Sequence, residues 1–273
     1  MKSFLSIIII SITIMLSNAK AQTGIKLGTL SQITISTKDL NKSVEFWKKL
    51  GFTIVFHVDS PIPWTQISDG SILVYLIEDK DTYIRLSYFN PKIADKLDEL
   101  EKAGIKIISR TNDAEGKLYR GIISSPDNFE IAVVNRDPMM LYHPPKKTML
   151  TTDTADYHKA DKMQVKLGLF GEFSQPVKDL KAAMAFYKKI GFKEYSVNEM
   201  PYPWAIMEDS VIVVGLHQTN DFSTPTMTYF APDMKQRIEK LKAEGVEVHE
   251  MGYGPANVYV LTPEGTKLFL FEF

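Results

Sequence analysis

Cysteine is absent from all 273 residues, so there is no disulfide framework, no Cys-x-x-Cys motif and no lipid-modified cysteine. Neither sign of charge dominates: 32 Lys and Arg stand against 33 Asp and Glu. That balance lacks the basic excess a nucleic-acid partner requires. No Ser-His-Asp arrangement is visible, and Gly252-Tyr253-Gly254 is too short to cradle a phosphate. One apolar run stands out, Phe4 to Leu16, behind Lys2 and ahead of Ala19-Lys20-Ala21. At about 13 residues it falls short of the ~20 of a spanning helix and reads as a secretory signal over residues 1–21. Its removal takes Lys2 and Lys20, leaving 30 basic residues against 33 acidic ones. The expected mature protein is periplasmic or secreted, bacterial, and free of the membrane.

What is present is a repeat. Val44-Glu45-Phe46-Trp47-Lys48-Lys49-Leu50-Gly51-Phe52 returns as Met184-Ala185-Phe186-Tyr187-Lys188-Lys189-Ile190-Gly191-Phe192. Asp39-Leu40, Pro61-Ile62-Pro63-Trp64, Asp69 and Ile72 recur at the same offset as Asp179-Leu180, Pro201-Tyr202-Pro203-Trp204, Asp209 and Ile212. Such an offset marks an internal duplication, and it must be read before the fold is assigned.

Each copy is itself two units. Ile33 to Ser36 alternates apolar with polar as a strand does, and Leu40, Val44, Trp47 and Leu50 form a helical stripe closed by Gly51. Strands are expected over 53–58, 64–68 and 72–77, the last two joined by the Asp69-Gly70 turn. The same strand-helix-three-strand order repeats over 83–134, then twice more over 168–217 and 227–273. The reading is α+β: four βαβββ modules paired into two domains, 28–136 and 166–273. The polar, Pro144-Pro145-containing stretch 137–165 reads as the linker between them.

Gln32 to Leu40 followed by Ser43 to Phe52 resembles the opening of vicinal oxygen chelate proteins, the superfamily of glyoxalase I, bleomycin-resistance proteins and extradiol dioxygenases. Ser125-Pro126-Asp127-Asn128 and Thr262-Pro263-Glu264-Gly265 are similar to the turn before that family's final strand. The resemblance implies curved sheets whose concave faces hold a ligand and, in enzymes, a divalent metal bound by His and Glu on the strands. Carried over by counting, those ligand positions read Gln32, Leu73, Arg85 and Ala132 in the first half, and Glu172, Val213, Thr226 and Phe269 in the second. Of the eight, Glu172 alone suits such a metal well. His217, four residues after Val213 on one strand, shares its face and is a second metal candidate.

Period-2 counting gives the first face Gln32, Tyr75, Arg85 and Glu130, and the second Glu172, His217, Thr226 and Lys267. Arg85 either clamps a ligand's carboxylate or phosphate, or is neutralised by Glu130 as a structural pair. Trp64 and Trp204, each after Pro-x-Pro, either stack on a planar ligand or cap their domain's core. Phe46, Trp47, Phe186 and Tyr187 have helical spacing and belong to packing. His57, His143, His158 and His249 show no ligand spacing.

These residues define the expectation: an exported glyoxalase-like protein without the usual metal set and with no cofactor, binding a small molecule in a concave sheet pocket. The alternative is a metal-dependent lyase, isomerase or dioxygenase with a displaced site around Glu172 and His217. A third reading is a scaffold whose sheets are filled by their own side chains.

Overall fold

A computed structural model describes residues 24–144, 166–252 and 256–272. The expected signal, 1–21, and most of the expected linker lie outside the described residues. In the first domain the order is β1 (Ser31–Thr37), α1 (Leu40–Lys49), β2 (Thr53–Val58), β3 (Trp64–Ser68), β4 (Leu73–Glu78), β5 (Ile84–Phe89), α2 (Ile93–Lys102), β6 (Ile107–Asn112), β7 (Leu118–Ser124) and β8 (Glu130–Val134). The second repeats it with β9 (Leu169–Pro176), α3 (Leu180–Lys189), β10 (Lys193–Asn198), β11 (Trp204–Glu208), β12 (Val213–His217), β13 (Thr226–Ala231), α4 (Met234–Ala243), β14 (His249–Glu250), β15 (Asn257–Leu261) and β16 (Lys267–Glu272).

Each domain is one eight-stranded mixed sheet, ordered β2-β3-β4-β1-β5-β8-β7-β6 and β10-β11-β12-β9-β13-β16-β15-β14. The two βαβββ modules of a domain meet where β1 runs antiparallel to β5, and β9 to β13. The fold is the paired arrangement of four modules expected from the sequence.

The helices follow from local chemistry. Asp39 caps α1 by accepting from the Lys42 amide at 2.9 Å, and Asp179 caps α3 through the Ala182 amide at 3.1 Å. Gly51 and Gly191, at φ 95° and 93°, end these helices in the left-handed region that favours glycine. Leu40, Val44 and Trp47 bury one face of α1, and Leu180, Phe186 and Tyr187 one face of α3. Trp47 is fully buried, so Trp47→Ala costs about 3–5 kcal/mol of stability.

One sheet face packs into an apolar core that runs continuously through both domains. Phe129 meets Phe173 across the boundary at a centroid distance of 5.6 Å. Polar bonds also cross it: Ser43 Oγ donates to Glu264 at 2.6 Å, and the Lys178 amide to Asp127 at 2.8 Å. The opposite face of each sheet carries the candidate residues. Among the described residues no helix is long and apolar enough to cross a membrane.

The start of the expected linker is not a free connection. A 3-10 turn, Pro138–Met140, follows Asp137, and Leu141 packs against Leu73, Phe89, Ile122, Ala132 and Val134 on the first sheet's outer face. Apolar side chains there draw the chain back across one end of the sheet.

Candidate functional site

Strand register fixes what each face presents. Gln32 pairs with Ser87, which pairs with Ala132, and Leu73 lies one residue before Val74, the partner of Ile33. In the second domain Glu172 pairs with Thr228, which pairs with Phe269, and Val213 lies one residue before Val214, the partner of Phe173. The cross-strand row therefore runs through Ser87 and Thr228. Arg85 and Thr226, reached by counting along the sequence, stand two residues before them; such a count cannot see the register between β1 and β5 or between β9 and β13. The full rows are Gln32, Leu73, Ser87, Ala132 and Glu172, Val213, Thr228, Phe269, eight positions with one carboxylate and no imidazole.

Glu172 and His217 do meet. Their side chains approach at 2.6 Å, Oε1 to Nε2, and are 6% and 14% exposed. A carboxylate oxygen accepts, so the contact calls for a proton on Nε2 of the ring, and Nδ1 faces the Tyr202 hydroxyl at 3.3 Å. Ser174 Oγ also donates to Glu172 Oε1, at 2.6 Å. With its proton committed there, Ser174 accepts from Thr228 Oγ1, again at 2.6 Å. The other oxygen, Oε2, lies in space a Cβ on Gly215 would fill, 2.1 Å from it. Only glycine at 215 lets the carboxylate rest on β12.

This second face is closed by its own side chains. Phe222, from the connection after β12, packs against His217 at 5.8 Å and Phe269 at 5.4 Å, and is 7% exposed. Trp204 stacks on His217 at 6.4 Å and donates its indole N–H to the Met200 carbonyl at 3.0 Å. Thr226 is fully buried with its hydroxyl unpartnered. Lys267 is engaged on the same face, bonding the Asp221 carbonyl at 3.0 Å and sitting 4.9 Å over the Tyr259 ring.

The first face is organised differently. Arg85 and Glu130 form an ion pair at 3.0 Å, and the guanidinium lies 3.9 Å over the Tyr83 ring. Burial pushes Arg85 below the usual guanidinium value, opposed by Glu130. The pair consumes one end of Arg85 only: its Nε is buried without a partner. Gln66 donates to Gln32 at 2.8 Å, and Thr34 pairs with Ser87 at 2.9 Å. Tyr75 lies 4.9 Å from Trp64, which stacks on Phe56 at 5.4 Å. Both Trp64 and Trp204 thus line the outer face and neither caps a core. Phe222, Gln66 and Phe56 escaped sequence reading; the register of Gln66 and Phe56 with Tyr75 was the signal that would have found two of them.

The metal expected from the family does not fit this donor set. Among the described residues no three His, Cys, Asp or Glu side chains gather. Oε1 of Glu172 already accepts two hydrogen bonds, and the rest of its row is Val213, Thr228 and Phe269.

Residues 29–133 match the family model described as Glyoxalase/Bleomycin resistance protein/Dioxygenase superfamily. The first domain belongs to that superfamily, the vicinal oxygen chelate group its opening strand and helix resemble, and the second repeats its topology. Solved structures of similar fold include a catechol 2,3-dioxygenase, 12% identical, TM-score 0.57, with 91% of this chain and 89% of that one covered. Homoprotocatechuate 2,3-dioxygenase from Arthrobacter globiformis is 15% identical over 92% of this chain and 82% of its own, with a TM-score of 0.61. The Brevibacterium fuscum enzyme in complex with 3,4-dihydroxyphenylacetate is 14% identical over the same shares, TM-score 0.60. At such identities the likeness is one of fold. No curated protein matches the sequence.

Proposed function

We propose that this is an exported glyoxalase-like protein that binds a small molecule on the outer face of a sheet and works without a resident divalent metal. The observation that carries the reading is the pair of cross-strand rows, where a metal set is replaced by Gln32, Leu73, Ser87 and Ala132 and by Val213, Thr228 and Phe269 beside a single Glu172. An imidazole and carboxylate bonded to each other at 2.6 Å leave no preorganised open coordination sphere. Export rests on the charged, apolar and small-residue pattern of residues 1–21. The near-neutral charge balance supports a small-molecule partner over a nucleic acid.

The test is elemental analysis of the purified mature protein followed by calorimetry with divalent metals and a panel of small organic ligands. Far less than one metal per chain and saturable binding of an organic ligand are expected. Tight one-to-one binding of zinc, nickel, iron or manganese overturns the reading.

A second reading, a metal-dependent lyase, isomerase or dioxygenase, is favoured by one observation: Glu172 and His217 share a face in a fold also used by catechol-cleaving enzymes. It requires metal-dependent turnover that Glu172→Ala abolishes; activity untouched by that change removes it.

A further inference from the structure

Unsatisfied donors lie on the outer face of the first sheet, on β4, β5 and β7. Arg85 is 9% exposed and its Nε has no partner; Arg120, on β7, also has a buried, unpartnered Nε. No carboxylate pairs with Arg120 among the described residues. The Tyr75 hydroxyl bonds nothing in the described protein, and burial raises its pKa well above the phenol range while Arg136 and Arg120 pull it down. Arg120 stands opposite Val134, which stands opposite Phe89, so it shares the outer face of Arg85 and Ser87. Against these cations stand Glu130, half-exposed and bound to Arg85, and Asp79, 3.4 Å from the Tyr83 hydroxyl. Buried guanidinium N–H groups without acceptors are costly, and a protein keeps them where an acceptor arrives with a ligand.

The surroundings supply a floor and a wall. Thr34 and Ser87, small and paired with each other, lie in adjacent strands beneath Tyr75 and Arg85. On the far side Trp64, tilted against Tyr75, and Phe56 stacked on it make a continuous aromatic edge. The domains also differ where a plug would sit. Phe222 covers the second face, whereas the corresponding connection, 79–83, carries Asp81 and Thr82, both exposed.

We infer that this face of the first domain is a binding site for a planar aromatic carboxylate, the carboxylate taken by Arg85 and Arg120 with the Tyr75 hydroxyl, the ring held beside Trp64. A guanidinium is the group suited to such an anion, because its fixed fork of donors matches two carboxylate oxygens. Ring and charge together set the class: an inorganic anion leaves the aromatic edge unused, and a neutral ring leaves the arginines unpaired. The inference rests on the small-molecule reading and names its ligand class.

The experiment is titration of the mature protein with benzoate, 4-hydroxybenzoate and 2-naphthoate, followed by calorimetry and tryptophan fluorescence. Methyl 4-hydroxybenzoate and inorganic phosphate serve as the uncharged and ring-free probes. At least one acid is expected to bind one-to-one with quenching, the ester at least tenfold more weakly, and phosphate without competing at equal concentration. Arg120→Met and Tyr75→Phe lower acid affinity about tenfold or more, and Arg85→Met does so with the fold checked by circular dichroism. Arg110→Met, which removes an exposed arginine paired with Glu101 and Asp98, leaves affinity unchanged. The inference is overturned if the ester binds as tightly as the acid, if Arg110→Met loses as much as Arg120→Met, or if none of the three acids binds the folded protein. An uncharged ligand bound elsewhere also sinks it while leaving the broader reading intact; a stoichiometric resident metal sinks the broader reading alone.

Discussion

The phenol of Tyr88 donates a 2.5 Å hydrogen bond to Asp209 Oδ2 in the other domain, and Tyr229 returns the contact to Asp69 Oδ2 at 2.7 Å. Each aspartate also accepts from two amides of its own turn, Ser71 and Ile72 for Asp69, Val211 and Ile212 for Asp209. The residues that shape the two equivalent hairpins therefore also join the domains.

Removing a phenol tests the joint. Tyr88→Phe leaves a carboxylate short of a partner and is expected to lower unfolding stability by about 1–3 kcal/mol, as is Tyr229→Phe. Urea denaturation of both single variants and the double variant checks this, and a change under 0.5 kcal/mol for each single would show the bonds to be dispensable.

The same pairs set a pH dependence. Burial raises Asp69 and Asp209 above the ordinary carboxylate value of 3.8, against the hydrogen bonds that lower them. A raised folded value means that the unfolded chain loses these protons first. Their contribution is complete below about 3.8 and fades as pH rises through the raised values. Stability curves from pH 4 to 8 are expected to flatten in the Asp69→Asn, Asp209→Asn double variant relative to the wild type; identical slopes would refute the assignment. Tyr88 and Tyr229 are raised well above 10 by burial, so their contribution is present up to about 10 and declines above it.

Gly215→Ala places a methyl group where Glu172 Oε2 lies. The carboxylate must leave, breaking the bonds from Ser174 and His217, with an expected cost of about 1–3 kcal/mol. Nitrogen chemical shifts of His217 report the loss directly: an Nε2–H tautomer bias is expected with Glu172 in place and is expected to vanish in the variant.

Phe222→Ala uncovers the second face. Loss of packing against Phe269 and His217 is expected to cost about 2–4 kcal/mol and to raise affinity for an apolar fluorescent dye. Unchanged dye binding in the folded variant would mean that Phe222 is not the cover.

Much of this fold was legible because its signals are local: the Asp39 and Asp179 caps, the Gly51 and Gly191 stops, and the apolar stripe through Leu40, Val44 and Trp47. Period-2 alternation also placed Glu172 and His217 on one face. Register was not legible, since no local pattern says that Gln32 stands beside Ser87 and not Arg85. Nor was the Tyr88 to Asp209 bond, because it joins residues 121 apart that read separately as a strand interior and a turn. Phe222 sits in a polar connection, where one aromatic gives no hint of which sheet it covers.

Asp69 and Tyr88 occupy in the first half the places that Asp209 and Tyr229 occupy in the second. One half alone therefore carries both the acceptor and the donor of the crossed contact, and two identical copies, related by a two-fold axis, satisfy each other with no further change. The joint is that of an isologous homodimer fused into one chain. Because the halves share one chain, their outer faces need not match: one carries Arg85 and Arg120, and the other is covered by Phe222.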